Sequence, residues 1–227
     1  MLYLERHVAR LCRDGRALGL PELDAARARR ALCLLAARCP ARDAAARLAL
    51  SLDRAGALQL EGHCRPLEPE AVARSWSAIS AAARHPGAGP ASHCKSSQRE
   101  LQDAALARAR AAGADEALLF DAGDRLVEGA RSNLCAVLAS GELRTPPLAR
   151  GAVAGIAREI LLARMPELVE GDLPRGALGS LRELIALNAL RGALSIRELD
   201  GARVGTGRVG PWARRLAAEL AAEAEDS

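Results

Sequence analysis

A stretch rich in proline and glycine near the middle of the sequence limits the possible folds more than any other feature. Residues 83–92 read Ala-Arg-His-Pro-Gly-Ala-Gly-Pro-Ala-Ser, and this composition interrupts both helical and strand periodicity. A continuous helix or strand is therefore not expected to pass through it. We place a domain boundary in this loop, with a small N-terminal domain at 1–85, an interdomain loop at 86–94 and a larger domain at 95–227.

Apolar periodicity on both sides of the loop predicts helices and strands in an irregular order. The first segment is predicted to form helices at 4–13 and 21–38 and then a hairpin with strands 47–52 and 57–60. In the second segment, helices and strands are again mixed without strict alternation, which favours an α+β fold over a doubly wound sheet. The elements predicted there are helices at 98–112, 155–164, 176–183 and from 211, and strands at 117–120, 125–128, 134–138, 168–172, 184–187 and 194–199.

Charge and aromatic content exclude several functional classes. The formal net charge is +4, but the arginines alternate with acidic residues, and aromatic residues make up only 2% of the chain. A nucleic-acid surface needs a basic stripe and usually stacking aromatic rings, so we expect no nucleic-acid partner. The sequence also shows no apolar signal core, no membrane-spanning run and no cysteine spacing typical of a metal site. We therefore expect a cytoplasmic protein with neither a metal nor a membrane anchor.

Lys95 is the first candidate for chemistry. Of the 32 basic residues, it is the single lysine, and the other 31 are arginine. A guanidinium group stays protonated and is a poor nucleophile, whereas a lysine amine that loses its proton attacks a carbonyl. An arginine-biased composition that left one lysine by chance is the alternative explanation. Lys95 is accordingly a candidate for covalent catalysis.

A carboxylate and a glycine-rich helix start are the next candidates for the site, after Lys95. Glu128 lies between two predicted strands, where a carboxylate can hold a protonated ring nitrogen through a charge-assisted hydrogen bond. Residues 151–156, Gly-Ala-Val-Ala-Gly-Ile, place glycines directly before an apolar helix, and the start of a helix suits a phosphate group. Each feature alone is common. Together an amine, a carboxylate and a helix start meet the three demands of pyridoxal 5'-phosphate.

The order and content of these segments resemble the class IV, or fold type IV, pyridoxal-phosphate enzymes, which include branched-chain aminotransferases, D-amino-acid aminotransferases and 4-amino-4-deoxychorismate lyase. The resemblance implies a two-domain α+β fold, with a small N-terminal α/β domain, truncated here, and a larger C-terminal α+β pseudo-barrel domain. It is carried by His-Val-Ala-Arg-Leu at 7–11, Lys-Ser-Ser-Gln-Arg at 95–99, Gly-Ala-Asp-Glu-Ala-Leu-Leu at 113–119, Glu-Gly-Ala-Arg-Ser-Asn-Leu at 128–134, Thr-Pro-Pro-Leu at 145–148, Gly-Ile-Ala-Arg at 155–158, Asn-Ala-Leu-Arg-Gly at 188–192 and Val-Gly-Thr-Gly-Arg-Val-Gly-Pro at 204–211.

The resemblance also implies a role for each site residue. Lys95 would form the internal aldimine with the cofactor and then move the proton between the substrate Cα and the cofactor. Glu128 would hold the protonated pyridine nitrogen, and Arg10 would reach the phosphate from the small domain. The other implied cofactor contacts are Gly155, Ile156, Ala157 and Ala189, and the candidate substrate contacts are Leu190 and Arg131.

The chain departs from the family pattern in two ways. Many members have threonine where Ala157 and Ala189 stand, and the loss of a hydroxyl bond to phosphate costs on the order of 1.5–3 kcal/mol. Backbone amides and Arg10 remain, so we expect weaker binding of the cofactor rather than none. The sequence also begins at the His-x-x-Arg helix, and the strands that precede this helix in the family are absent.

The resemblance favours a transaminase that passes an amino group between an amino acid and a 2-oxo acid. The Glu-Gly-x-x-Ser-Asn pattern at 128–133 supports this function, whereas Asn-Ala-Leu-Arg-Gly at 188–192 points toward 4-amino-4-deoxychorismate lyase, which makes 4-aminobenzoate. An inactive relative that keeps the fold is a third alternative. The resemblance further implies a homodimer.

Overall fold

The computed structural model describes residues 2–39, 41, 44–67 and 75–225, which fall into two compact units. The first unit contains residues 1–72 together with 223–227, and the second contains residues 73–222. The division at 72/73 lies in the undescribed residues 68–74, so the loop predicted as the domain boundary, 86–94, belongs to the second unit. The reason is that the segment before this loop is a strand of the large sheet.

The first unit combines two helices with a hairpin. Its small core is apolar and consists of Val8, Leu23, Ala28 and Leu32. The second helix begins at Asp24, whose carboxylate accepts hydrogen bonds from two backbone amides of the first turn, at 3.0 and 3.2 Å. The two predicted helices and the hairpin are confirmed. The elements are α1 (Leu4–Ala17), α2 (Ala25–Ala37), β1 (Ala44–Leu52) and β2 (Leu58–Pro66), with β1 and β2 antiparallel.

Nine strands in the described part of the second unit form one mixed sheet. The order is β5-β4-β3-β10-β9-β6-β7-β8, and β11 pairs with β10. The sheet curls into a half-barrel. At the end of β5, the backbone amide of Gly129 donates a hydrogen bond to the backbone oxygen of Ser132, just before β6, at 2.8 Å. The strands are β3 (Ser75–Arg84), β4 (Glu116–Phe120), β5 (Leu126–Gly129), β6 (Asn133–Val137), β7 (Leu143–Thr145), β8 (Leu168–Glu170), β9 (Glu183–Asn188), β10 (Gly192–Leu199) and β11 (Ala202–Arg203).

Strand β4 shows how the sheet divides the core. Its side chains alternate, so Ala117 and Leu119 pack in one apolar cluster, while Leu118 and Phe120 pack in the other. The first cluster is covered by α3 (Glu100–Ala111), which buries Leu106 together with small alanines. The two remaining helices of this unit are α4 (Ile156–Arg164) and α5 (Pro211–Glu225). The predicted α+β class is therefore confirmed.

Two sequence predictions need correction in this unit. Strand β3 was not predicted, because Ser-Trp-Ser-Ala-Ile-Ser-Ala-Ala-Ala-Arg has few β-branched residues, yet it pairs in parallel with both β4 and β10. The helix predicted at 176–183 is wrong in type and length. It is a short 3₁₀ helix, Arg175–Ser180, since Gly176 and Gly179 disfavour an α-helix and β9 begins at Glu183.

No helix among the described residues combines the length and the apolar character needed to cross a bilayer.

Candidate functional site

A cavity of about 410 Å³ opens in the second unit beside Lys95. This volume lies within the range of small-molecule sites, roughly 300–1,000 Å³. The walls come from the loop that follows β3, from the segment around Lys95 and the start of α3, and from the loop that precedes α4. The lining residues are 85–92, 94–96, 98–102, Gly151 and Val153.

Two loops fix the position of Lys95 in this wall. The Nδ1 atom of His93 lies 2.9 Å from the backbone oxygen of Ala152, and the backbone amide of Ala154 donates to the oxygen of His93 at 3.0 Å. The backbone of the loop at Gly87 also passes so close to Gly151 that a side chain there would collide with it. Lys95 itself is exposed at the edge of the cavity. Lys95 therefore stands at the edge of the cavity on a segment whose backbone is anchored.

Glu128 is the buried acid of the site. It lies on β5 with 4% of its surface exposed. Its Oε2 accepts a hydrogen bond from the backbone amide of Val153 at 2.9 Å, and its Oε1 accepts one from Nε2 of Gln102 at 3.3 Å. Burial raises the pKa of Glu128, and the hydrogen bond from Val153 and the charge of Lys95 are among the effects that lower it. Since Val153 and Gln102 both line the cavity, Glu128 lies directly behind its wall.

The start of α4 is shaped by a close contact. Gly155 is the residue before the helix, and a Cβ atom there would collide with the amide oxygen of Asn133. Asn133 in turn donates to the backbone oxygen of Val153 at 2.9 Å. The first amides of an α-helix have no partner within the helix, so Ile156 and Ala157 present N–H groups at this end. A glycine at 155 is required for the close approach of β6 to the helix start.

The structure brings only part of the predicted site together. Lys95, Glu128 and the loop before α4 meet around one cavity, through the bonds of His93 and Val153 described above. Arg10 lies in the first unit on α1, where its Nη2 is 3.5 Å from Nδ1 of His7. Its contact with a phosphate stays a prediction.

The turn between β9 and β10 carries two of the predicted contacts, Ala189 and Leu190. The Oδ1 of Asn188 accepts from the backbone amide of Leu190 at 2.8 Å, and its Nδ2 donates to the backbone oxygen of Arg131 at 2.8 Å. The side chain of Leu190 is 37% exposed. These bonds fix the turn beside Arg131. The contacts of Ala189 with the cofactor and of Leu190 with the substrate stay predictions.

Arg131 is occupied within the large unit. Its guanidinium lies 4.3 Å from the centre of the Trp76 ring, and Nη2 donates to the backbone oxygen of Asp115 at 2.7 Å. Burial lowers the pKa of this arginine. A residue with these contacts packs two strands against each other. The contacts give no support to the predicted substrate role of Arg131, which stays a prediction.

Sequence reasoning missed three polar residues near the acid. Gln102 donates to Glu128, and Nε2 of His85 lies 3.9 Å from Oε1 of the same carboxylate. Glu116, on the neighbouring strand, is fully buried and accepts from Ser132 at 2.7 Å. The position of Gln102, one turn into the helix that follows Lys95, was the one available sequence signal. His85 and Glu116 reach their places through strand pairing that no local pattern reveals.

Comparisons with known proteins show which family and which fold the chain resembles. The profile of the family "Amino-transferase class IV" matches residues 1–199. The branched-chain-amino-acid aminotransferase of Escherichia coli K12 is 33% identical over 112 residues, which are 48% of this chain and 36% of that enzyme. The match with this curated relative therefore spans a little over a third of its length.

Two solved structures share the fold. A hypothetical aminotransferase from Mycobacterium tuberculosis in its PLP-bound form superposes with a TM-score of 0.81 at 22% identity, covering 100% of this chain and 85% of that one. A putative 4-amino-4-deoxychorismate lyase from Legionella pneumophila gives a TM-score of 0.86 at 21% identity, covering 98% and 86%. At these identities the likeness establishes the fold type alone. With the family profile spanning most of the sequence, the chain belongs to the class IV aminotransferases.

Proposed function

We propose that this chain binds pyridoxal 5'-phosphate and transfers an amino group between an amino acid and a 2-oxo acid, with Lys95 as the catalytic amine. The observation that carries the proposal is the arrangement of Lys95 and Glu128 around one cavity. The single lysine stands at its edge, and the buried carboxylate stands behind its wall. The relatives with curated names that match this sequence include several branched-chain aminotransferases, which supports transfer as the reaction.

The residues of the site fit this cofactor. The oxygens of Glu128 accept hydrogen bonds from the N–H groups of Val153 and Gln102, which suits a carboxylate that accepts a further hydrogen bond from a protonated ring nitrogen. Gly155 itself places no side chain at the start of α4, where the first backbone amides of the helix can hold an anion. The cofactor supplies an aldehyde that condenses with amines and a ring that withdraws electrons from the substrate Cα.

The chain's own residues carry the remaining steps. Lys95 Nζ would supply the amine that condenses with the aldehyde and would move the proton at the substrate Cα. Glu128 would hold the ring nitrogen in its protonated form, which strengthens electron withdrawal. The backbone amides of Ile156 and Ala157 would hold the phosphate, and Arg10 and Ala189 stay the further contacts that the family resemblance implies.

The absorption spectrum of the purified full chain with added pyridoxal 5'-phosphate tests the proposal. We expect a visible band that shifts when L-leucine, L-glutamate or D-alanine is added, with pyridoxamine phosphate as the product of the half-reaction. Lys95→Ala should remove the band. Lys95→Arg is the matched control, because it keeps the positive charge near Glu128 and lacks a nucleophilic amine. A protein that stays colourless with excess cofactor would contradict the proposal and favour an inactive relative.

A second candidate reaction is the elimination catalysed by 4-amino-4-deoxychorismate lyase. It is supported by the Asn-Ala-Leu-Arg-Gly turn at 188–192 and by the fold likeness to the putative lyase. Release of pyruvate from aminodeoxychorismate, without accumulation of pyridoxamine phosphate, would identify it. We also propose a homodimer, as the family resemblance implies, and light scattering of the purified chain measures this directly.

A further inference from the structure

His85 is a buried histidine whose protonation state is fixed by the backbone around it. It follows β3, and its backbone amide donates to the oxygen of Phe120 at 2.8 Å. Its residue exposure is 6%. The Nδ1 atom accepts a hydrogen bond from the backbone amide of Gly87 at 3.0 Å. A backbone N–H can only donate, so Nδ1 carries no proton, and the neutral ring must carry its proton on Nε2.

That Nε2 atom faces the acid of the site. It lies 3.9 Å from Oε1 of Glu128, which is about 1 Å longer than an N–H···O hydrogen bond. The same Oε1 accepts from Gln102, and the other oxygen accepts from Val153. Among the described residues, the acidic groups Glu128 and Asp121 act on His85, and the positive charges of Lys95 and Arg99 act on Glu128 and lower its pKa. The Nε2–H group of His85 therefore faces the carboxylate of Glu128, which already accepts hydrogen bonds from Gln102 and Val153.

We propose that His85 is a positioning residue for Glu128: its Nε2–H closes onto Oε1 and, with Gln102, keeps Glu128 ionised and oriented toward the cavity. This inference rests on the proposed function, because the ionised Glu128 is the form that binds a protonated ring nitrogen. Burial alone favours the neutral acid, which would donate its proton and lose that bond. His85 opposes this protonation of Glu128 at Oε1, whereas Val153 bonds to Oε2.

A purely structural role for His85 makes a different prediction. If the ring served only to close the turn after β3, the bond between Nδ1 and Gly87 would be its one useful contact. Asparagine places its amide near Nδ1 and can keep that contact, whereas glutamine places an N–H donor near Nε2. The pair His85→Asn and His85→Gln therefore separates the turn contact from the contact with Glu128.

The first measurement uses the apo protein with labelled histidine and needs no cofactor. The chain has four histidines, at 7, 63, 85 and 93, so nitrogen NMR resolves each ring. We expect His85 to be neutral at pH 7 with its proton on Nε2. A proton on Nδ1 would overturn the proposal, since Nε2 would then be an acceptor facing a carboxylate.

The second measurement is the pKa of Glu128 in the apo protein, followed by carbon NMR and assigned with Glu128→Gln. We expect His85→Asn to raise this pKa by about one unit and His85→Gln to leave it near the wild-type value. Thermal unfolding of each variant reports folding separately, and exposed His63→Gln is the control. An unchanged pKa in folded His85→Asn would overturn the proposal.

Cofactor binding then separates this inference from the proposed function. By fluorescence quenching at a pH below the pKa of Glu128 in both variants, where a one-unit rise lowers the ionised fraction tenfold, we expect His85→Asn to bind pyridoxal 5'-phosphate about tenfold more weakly than His85→Gln. If the wild type binds no cofactor while the pKa shift is observed, the proposed function fails and the link between His85 and Glu128 stands. If the wild type binds cofactor and both variants bind equally well, the inference fails alone.

Discussion

Glu128 and Glu116 lie on neighbouring strands of one sheet and differ in what surrounds them. Both are buried, at 4% and 0% exposure, and burial raises the pKa of both. The partners of Glu128, Gln102 and Val153, line the cavity. Glu116 is instead closed in by its own strand and by Ser132, which donates at 2.7 Å.

The comparison shows that a perturbed pKa alone does not identify a catalytic acid. Both carboxylates meet that criterion, and they are about equally hidden from solvent. What distinguishes Glu128 is that Gln102 and Val153, which donate hydrogen bonds to it, also line the cavity. This difference supports the role proposed for Glu128 in the chemistry and a structural role in the sheet for Glu116.

The largest expected effect is on the rate of amino transfer, and it should differ between substitutions of Glu128 and Glu116. Glu128→Gln should lower the rate of the amino-transfer half-reaction on the order of 10²-fold, because an amide cannot hold a ring nitrogen in its protonated form. Glu116→Gln is the matched variant, with the same change of charge and size on the next strand. We expect its rate to stay within a few fold of wild type. Equal losses in stopped-flow traces of the two variants would remove the distinction.

The next effect is on stability and tests how tightly Glu116 is enclosed. A Cβ atom at Gly129 would lie 2.5 Å from Oγ of Ser132 and 3.0 Å from Cδ of Glu116. Gly129→Ala should therefore lower the free energy of unfolding by roughly 1–3 kcal/mol in urea titrations. Gly176→Ala is the control, since a Cβ there meets no atom within 4 Å. A Gly129→Ala protein as stable as the control would show that the pocket around Glu116 is loose.

The sequence marked Glu128, the acid behind the cavity wall, as a candidate and gave no indication of Glu116, its enclosed counterpart. Lys95 and Glu128 were found because a single lysine and a family motif mark them in the linear chain. Glu116 begins a fully buried strand, and its pairing with Ser132 depends on β4, β5 and β6 being assembled. The presence of the buried strand β4 was also readable locally, because its apolar residues follow one another in the sequence.

Long-range pairing explains what the sequence left open in the fold. Strand β3 consists largely of alanine and serine, and it is held as a strand by parallel neighbours that are distant in sequence, β4 and β10. Without β3, the domain boundary was predicted in the loop at 86–94, whereas the two compact units divide at 72/73. The contacts of Gln102 and His85 with Glu128 depend on the same assembly.

The smallest effect is a pH dependence of stability that isolates Glu116. Its pKa in the folded chain is raised, so the folded state retains the proton when the unfolded state, with a value of about 4.3, has lost it. The stability that this carboxyl contributes is therefore fully present below about pH 4.3 and is lost as the pH rises through the folded value.

Urea titrations of wild type and Glu116→Gln at several pH values measure this loss, because Glu128 titrates in both proteins and its contribution cancels. The stability of wild type relative to the variant should fall as the pH rises from about 4.3. The hydrogen bond from Ser132 lowers the pKa of Glu116, so adding Ser132→Ala to both proteins should extend the fall to higher pH. A difference that stays flat would mean that Glu116 titrates alike in the folded and unfolded chain. Burial would then raise the pKa of Glu128 alone. The two acids would differ in how strongly burial desolvates them rather than in the residues that surround them.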